Sequence, residues 1–268
     1  MGATSEFRRD LQSIRLYYLS TLESYHSSII GHRNSDKDIV KITTTPSKGT
    51  KLVYVDHNYY IFKEDHIRNL ESNQSKLRLS TAVSLMSALE KYLKSVLMVV
   101  FRSVPKLFSN IKSSQEMDFG TIIRFGNYSN LTSHYLEKEV RKIGERSLKE
   151  NADYFKKHLD IDLQTLGVRW ERVLQTSKYR NAIIHSDAKI KFMDGKTSTI
   201  SIDHWGLLQT IDDLYALSVY IGKRVREIIT EHSKSTKHGI APKSIVLLSI
   251  DSQYFDLEAA KKAMQKGA

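Results

Sequence analysis

The segment Lys178-Tyr179-Arg180-Asn181-Ala182-Ile183-Ile184-His185-Ser186 gathers Arg, Asn and His in the last turns of an expected helix. Asn181 and His185 are four residues apart and share a face, and Ser177 extends that polar stripe one turn back. Arg180 lies about 100° round from Asn181, beside Val173, Ile183 and Ile184. A guanidinium flanked by apolar side chains is costly without a partner. Its reach brings it to the same mouth as His185. An imidazole, with an unperturbed pKa of about 6.5, suits proton transfer near neutral pH. A guanidinium offers paired donors to an oxyanion.

This R-N-x-x-x-H pattern resembles the signature of HEPN domains, many of which are metal-independent RNases. Ser80-Thr81-Ala82-Val83 through Ser87-Ala88-Leu89-Glu90-Lys91-Tyr92-Leu93 is similar to the family's earlier long helix, which commonly carries an acidic residue amid apolar ones. A helix expected from Asp203 fits the family's next long helix. The resemblance covers about 75–230 and leaves out a β-rich insert at about 38–63 and an extension at about 232–268. Ser186-Asp187 after the histidine departs from the pattern, where a small residue such as Gly is frequent.

What the resemblance implies is transesterification at RNA. The imidazole of His185 takes the proton from a 2′-OH, which attacks the adjacent phosphate. Arg180 holds that phosphate and Asn181 orients the phosphate or the imidazole. Ser177, Tyr179 and Glu90 are the supporting residues. No cofactor and no metal is implied. Two protomers would face their motifs into one cleft near a two-fold axis, as a homodimer acting on RNA. The family's frequency in toxin–antitoxin and phage-defence systems implies a cytoplasmic effector restrained by a separate antitoxin or regulatory protein. The alternative is a non-catalytic HEPN-like module that dimerises or binds a partner such as a nucleotidyltransferase-type antitoxin. Retention of both Arg180 and His185 favours the enzyme, and a solvent-blocked motif would favour the module. A third reading is a helical nucleic-acid-binding protein.

Plainer roles exist for each residue. His185 can serve as a helix C-terminal residue favoured by the macrodipole. Arg180 can form a buried ion pair with Glu90 that also orients its guanidinium. Tyr179 reads more readily as packing than as base stacking, Trp170 and Trp205 as core or interface, and Lys223-Arg224-Val225-Arg226 as a solvated face.

The elements that must position these residues are mainly helical, and with 3 Pro and 12 Gly the chain has few breakers. A first helix is predicted from about Ser5 to Ile30 on the stripe Leu11, Ile14, Tyr18, Leu22, Tyr25 and Ile29, ended by Gly31. The opening Met-Gly-Ala-Thr-Ser-Glu-Phe carries no weight for the fold and reads in part as a cloning remnant. Residues 38–63 read as a small β-meander: 40–45, 52–55 and 59–62. A second helix runs from about Ser75 to Arg102 on the stripe Ala82, Leu85, Met86, Leu89, Leu93, Val96, Leu97 and Val100, with Pro105 beyond its end. Further helices are expected at about 133–158 and 162–186. A hairpin turns at Asp194-Gly195 within 188–202. The helix capped by Asp203 ends near Thr230, a polar loop follows at 232–244, and a short helix begins near Asp256. The fold class is mainly all-α, an up-and-down helical bundle with inserted β decorations. No composition shift marks a boundary, so a single elaborated domain over 1–268 is expected.

Composition agrees. The 268 residues are 40% hydrophobic and 26% charged, a globular balance able to bury a core. The net charge of +11 and sequence pI near 9.5 suit a polyanion partner. The excess is spread along the chain and not gathered in a tail. With no cysteine, disulfide scaffolds and thiolate chemistry are excluded. No apolar run approaches the roughly 18 residues of a membrane span, and no signal pattern opens the chain. P-loop, G-x-G-x-x-G, H-E-x-x-H and G-x-S-x-G motifs are absent, and the ten His residues show no metal-ligand spacing.

Overall fold

A computed structural model describes residues 2–43, 58–109, 111, 127–185, 189–191 and 197–235. Its elements in chain order are α1 (Ala3–Arg33), β1 (Ile39–Thr43), β2 (Asn58–Phe62), α2 (Lys63–Ser103), α3 (Pro105–Ser109), α4 (Tyr128–Arg141), α5 (Leu148–Leu159), α6 (Val168–His185), β3 (Lys189–Lys191), β4 (Thr197–Thr199) and α7 (His204–Ser235). Short 3-10 turns at Lys142–Gly144 and Leu163–Leu166 separate α4 from α5 and α5 from α6. The fold is mainly all-α, a helical bundle carrying two antiparallel strand pairs. No helix of the described residues is long and apolar enough to cross a membrane.

The predicted α2 stripe forms the centre of the core. Leu85, Leu89, Leu93, Val96, Leu97 and Val100 of α2 are buried against Phe7, Leu11 and Tyr18 of α1, Leu207, Leu214 and Ile221 of α7, and Trp170 and Val173 of α6. Phe7 stacks on Tyr92 with ring centroids 4.4 Å apart and planes 4° from parallel. Thr4 adds a hydroxyl contact to Tyr92 at 3.2 Å. The opening residues are therefore part of the fold, contrary to the expectation that they carry no weight in it.

Several helix ends differ from the spacing-based bounds, each for an identifiable reason. Helix α1 runs through Gly31 to Arg33, and Asn34 caps it by donating to Ile30 O. A glycine in a helix interior costs only about 1 kcal/mol, which the packing of buried Ile29 outweighs. Helix α2 starts twelve residues earlier than predicted, at Lys63. Its first turns have a thin apolar stripe, and α1 supplies what the stripe lacks. His32 meets His66 edge-on at 4.7 Å and Arg33 pairs with Glu71 at 2.7 Å.

The helix expected over 133–158 is two helices. Ser147 and Glu150 form a reciprocal capping box that starts α5 afresh. The intervening Gly144 lets the turn approach α2 closely. A Cβ there would stand 2.7 Å from Glu90 Oε1 and 2.8 Å from Lys94 Nζ. The next helix starts at Val168, not 162, because Gly167 adopts φ +55, a conformation that favours glycine. Helix α7 continues past Thr230 to Ser235, so 232–235 is helix and not loop.

Strand β1 pairs with β2 in antiparallel register from Ile39↔Phe62 to Thr43↔Asn58. Strand β3 pairs with β4 from Lys189↔Thr199 to Lys191↔Thr197, the hairpin predicted over 188–202. The predicted strand at 52–55, the Asp194-Gly195 turn, the remainder of the loop at 232–244 and the helix near Asp256 lie outside the described residues.

Candidate functional site

The motif occupies the C-terminal half of α6, and the register of α6 against its neighbours sets what surrounds it. Arg172 forks onto Asp213 of α7, Nε to Oδ2 at 2.7 Å and Nη2 to Oδ1 at 2.9 Å. One turn on, Thr176 Oγ1 meets Thr210 Oγ1 at 3.3 Å. Each hydroxyl also donates back along its own helix, Thr176 to Arg172 O and Thr210 to Gly206 O. Asp213 is 3% exposed, and the bidentate guanidinium compensates its burial. These contacts make α6 and α7 antiparallel and bring Arg180 level with the first turn of α7.

Helix α2 runs parallel to α7: the Tyr92 hydroxyl donates to Ser218 O at 3.4 Å, and earlier along both helices Arg78 and His204 meet at the Tyr18 hydroxyl. Following that register, residues near 80 on α2 lie level with Arg180. Glu90 is some ten residues further along, about 15 Å at 1.5 Å per residue. The expected Arg180–Glu90 ion pair is not formed. Glu90 Oε1 accepts from Lys94 Nζ at 2.6 Å, one turn away on its own helix and against Gly144.

Arg180 is half-buried, and its Nη1 donates to Asn181 Oδ1 at 3.1 Å. No carboxylate pairs with it among the described residues. Ser177 and Tyr179 are half-buried, and Asn181 is exposed. His185 is the last residue of α6, its backbone one turn beyond Asn181 on the same face. Residues 186–188, the departure Ser186-Asp187 among them, fall outside the described residues.

At the same level the structure gathers a second group that sequence spacing did not single out. Tyr18 of α1 is buried, and its hydroxyl lies 2.8 Å from His204 Nδ1 at the start of α7. The Arg78 guanidinium of α2 stands beside that hydroxyl. Burial, joined by the Arg78 charge, holds the His204 imidazole below its ordinary value, with Asp203 opposing. Burial likewise raises the Tyr18 phenol. Arg78 Nη2 donates to Ser75 Oγ at 2.9 Å, while its Nε is buried without a hydrogen-bond partner. Trp205 is 64% exposed, its ring edge-on to His204 at 5.2 Å, so of the two expected places, core or interface, it does not take the core. Trp170 is the core tryptophan, at 4%. Only Tyr18 had a sequence signal, as a member of the α1 stripe. Arg78 and His204 belong to no motif.

The basic run in α7 is largely committed. Arg224 pairs with Glu227 at 2.7 Å and reaches Asp160 at 3.1 Å, and Arg226 Nε donates to Gly222 O. Lys223 is exposed, 4.0 Å from Glu227. Among the described residues, no three of His, Asp and Glu come together as metal ligands. A shallow hollow between α1 and α2, lined by Glu6, Asp10, Lys91 and Tyr92, has room for about one water. Comparison of the chain with protein-family models, with curated proteins and with solved structures finds no match.

Proposed function

We propose that this protein is a metal-independent endoribonuclease that cleaves RNA through attack of the substrate's own 2′-OH on the adjacent phosphate. In this reading His185 takes the 2′-OH proton as the new P–O bond forms, and the departing 5′-oxygen takes a proton from solvent. Arg180 holds the non-bridging oxygens by paired donors as their charge grows, and Asn181 positions the guanidinium. The products are a 2′,3′-cyclic phosphate and a 5′-hydroxyl end. The observation that carries the reading is the state of Arg180. It is half-buried at the motif, its one amide partner is Asn181, and the acid that would have made it a structural ion pair is engaged by Lys94. Its remaining N–H donors suit an oxyanion. A cytoplasmic homodimer with both motifs in one cleft, restrained by a separately encoded antitoxin or regulator, completes the proposal. Such an assembly supplies two Arg and two His around one phosphate.

The test is purified protein with RNA in excess EDTA, beside His185→Ala. Cleavage persists in EDTA, leaves 2′,3′-cyclic phosphate ends, and stops at a position carrying 2′-deoxyribose. H185A folds and loses activity about 10²- to 10⁴-fold. H185A cutting at the wild-type rate ends this reading and leaves the binding module.

A further inference from the structure

We propose that Arg78, His204 and Trp205 form a subsite for one nucleotide of single-stranded RNA, at the level of the bundle where Arg180 stands. The proposal rests on the ribonuclease reading only for the identity of the polyanion.

Three elements distant in sequence converge there. Tyr18 comes from α1, Arg78 from α2, and His204 with Trp205 from α7. The Arg78 guanidinium, which can only donate, lies beside the Tyr18 oxygen, so the hydroxyl hydrogen is directed to His204 Nδ1. The neutral imidazole then carries its proton on Nε2. That Nε2–H has no protein acceptor among the described residues. Arg78 is half-buried: its Nε is shut away from solvent, Nη2 donates to Ser75 Oγ, and its charge stands beside the Tyr18 hydroxyl.

Asp203, the nearby carboxylate, accepts from Gly206 N at 2.8 Å and caps α7. His26 adds a further basic group. A backbone phosphate accepts the Nε2–H of His204, and the nearby Arg78 charge adds to its attraction. Trp205, exposed and braced edge-on by the His204 ring, offers a flat face on which the attached base stacks. The net charge of +11 supplies the long-range attraction.

The experiment uses the full chain and a single-stranded RNA oligonucleotide made uncleavable by 2′-O-methyl groups, with tryptophan fluorescence and anisotropy as readouts. Trp170 is buried, so Trp205 supplies the quenchable emission. Binding quenches it, and Trp205→Phe removes most of the quench. Trp205→Ala, a surface change that leaves the fold intact, weakens binding roughly ten-fold, as loss of one stacked base does. Arg78→Ala lowers the slope of log K against log salt by about 0.7, the share of one single-strand phosphate.

Unquenched emission in the wild-type chain, or wild-type affinity in W205A, overturns the subsite. So does a W205A chain that binds RNA normally but sediments as a smaller species, which would make Trp205 a contact between copies. Quenching by a protein that cuts no RNA supports the subsite while the ribonuclease reading fails. Normal cleavage with unchanged KM in both W205A and R78A removes the subsite and leaves the ribonuclease reading intact.

Discussion

Arg172 and Arg180 lie eight residues apart on one helix, and the structure uses them in opposite ways. Arg172 forks onto a buried carboxylate and ties α6 to α7. Arg180, near the end of the same helix, has a side-chain amide for a partner. The contrast extends across the bundle. At the level of Tyr92, Phe7 stacks on the ring, Thr4 meets its hydroxyl, and Arg8 donates to Ser218 while lying over Tyr215. At the level of Arg180, Arg78 keeps a buried unpartnered Nε, the second ring nitrogen of His204 meets no acceptor among the described residues, and Trp205 faces solvent. Residue type alone does not separate an arginine held by a carboxylate from one that is not. What separates them is whether a carboxylate of the neighbouring helix accepts from the guanidinium: Asp213 does so for Arg172, whereas Asp203 is engaged in capping α7.

The largest effects test that division. Arg180→Ala costs RNA-cleaving activity about 10²- to 10³-fold, the scale of losing an oxyanion donor, yet changes stability by no more than about 0.5 kcal/mol. Arg172→Ala does the reverse. It leaves Asp213 buried with only the distant Arg169, 4.0 Å away, and costs about 3 kcal/mol by urea denaturation. If R180A unfolds as readily as R172A, the two arginines are not different in kind. Arg180→Lys sharpens the point. It keeps the charge, loses the planar fork, and recovers only part of the activity.

Acid exposes the second, polar level of the bundle. The His204 imidazole titrates below its ordinary value in the folded protein, chiefly through burial, so the unfolded chain takes up its proton first. Its contribution is fully present above an unfolded-state pKa of about 6.5 and is lost as pH falls below it. His66 and His158 shift the same way, each mainly by burial. Tm measured from pH 7.5 to 5.5 therefore falls, and His204→Asn flattens part of that fall. A curve unchanged in H204N places the acid sensitivity elsewhere.

The smallest effect concerns Glu90. Its partner is the i,i+4 Lys94, both about a third exposed, so Glu90→Gln costs roughly 0.5 kcal/mol or less. Activity is unchanged. A loss of several-fold in activity with Tm preserved would bring Glu90 back to the motif.

Much of the architecture was legible. The long helices were expected close to where they lie, Asp203 was read as the cap it is, and the Asp194-Gly195 turn signal marked the hairpin of β3 and β4, while β1 and β2 fall in the stretch read as a β-meander. The misplaced ends share a cause. Gly31 is a weak breaker that tertiary packing overrides, while Gly167 and the Ser147–Glu150 box act through backbone angle and capping that an apolar stripe does not report. Of the candidate site, the chain places Ser177, Asn181 and His185 on one face of α6, because i,i+4 spacing is local.

The sequence by itself determined which residues share a helix face, since a 3.6-residue repeat needs no information from elsewhere in the chain. Only the tertiary structure decided which faces meet. The interruptions at Lys142–Gly144 and at Gly167 reset the helical phase between α2 and α6. The Arg172–Asp213 fork then fixes α6 along α7. Those long-range contacts carry Glu90 about 15 Å along the bundle from Arg180. In its place they bring Arg78, Tyr18 and His204 to the level of the motif, an arrangement that depends on the packing of side chains up to 186 positions apart.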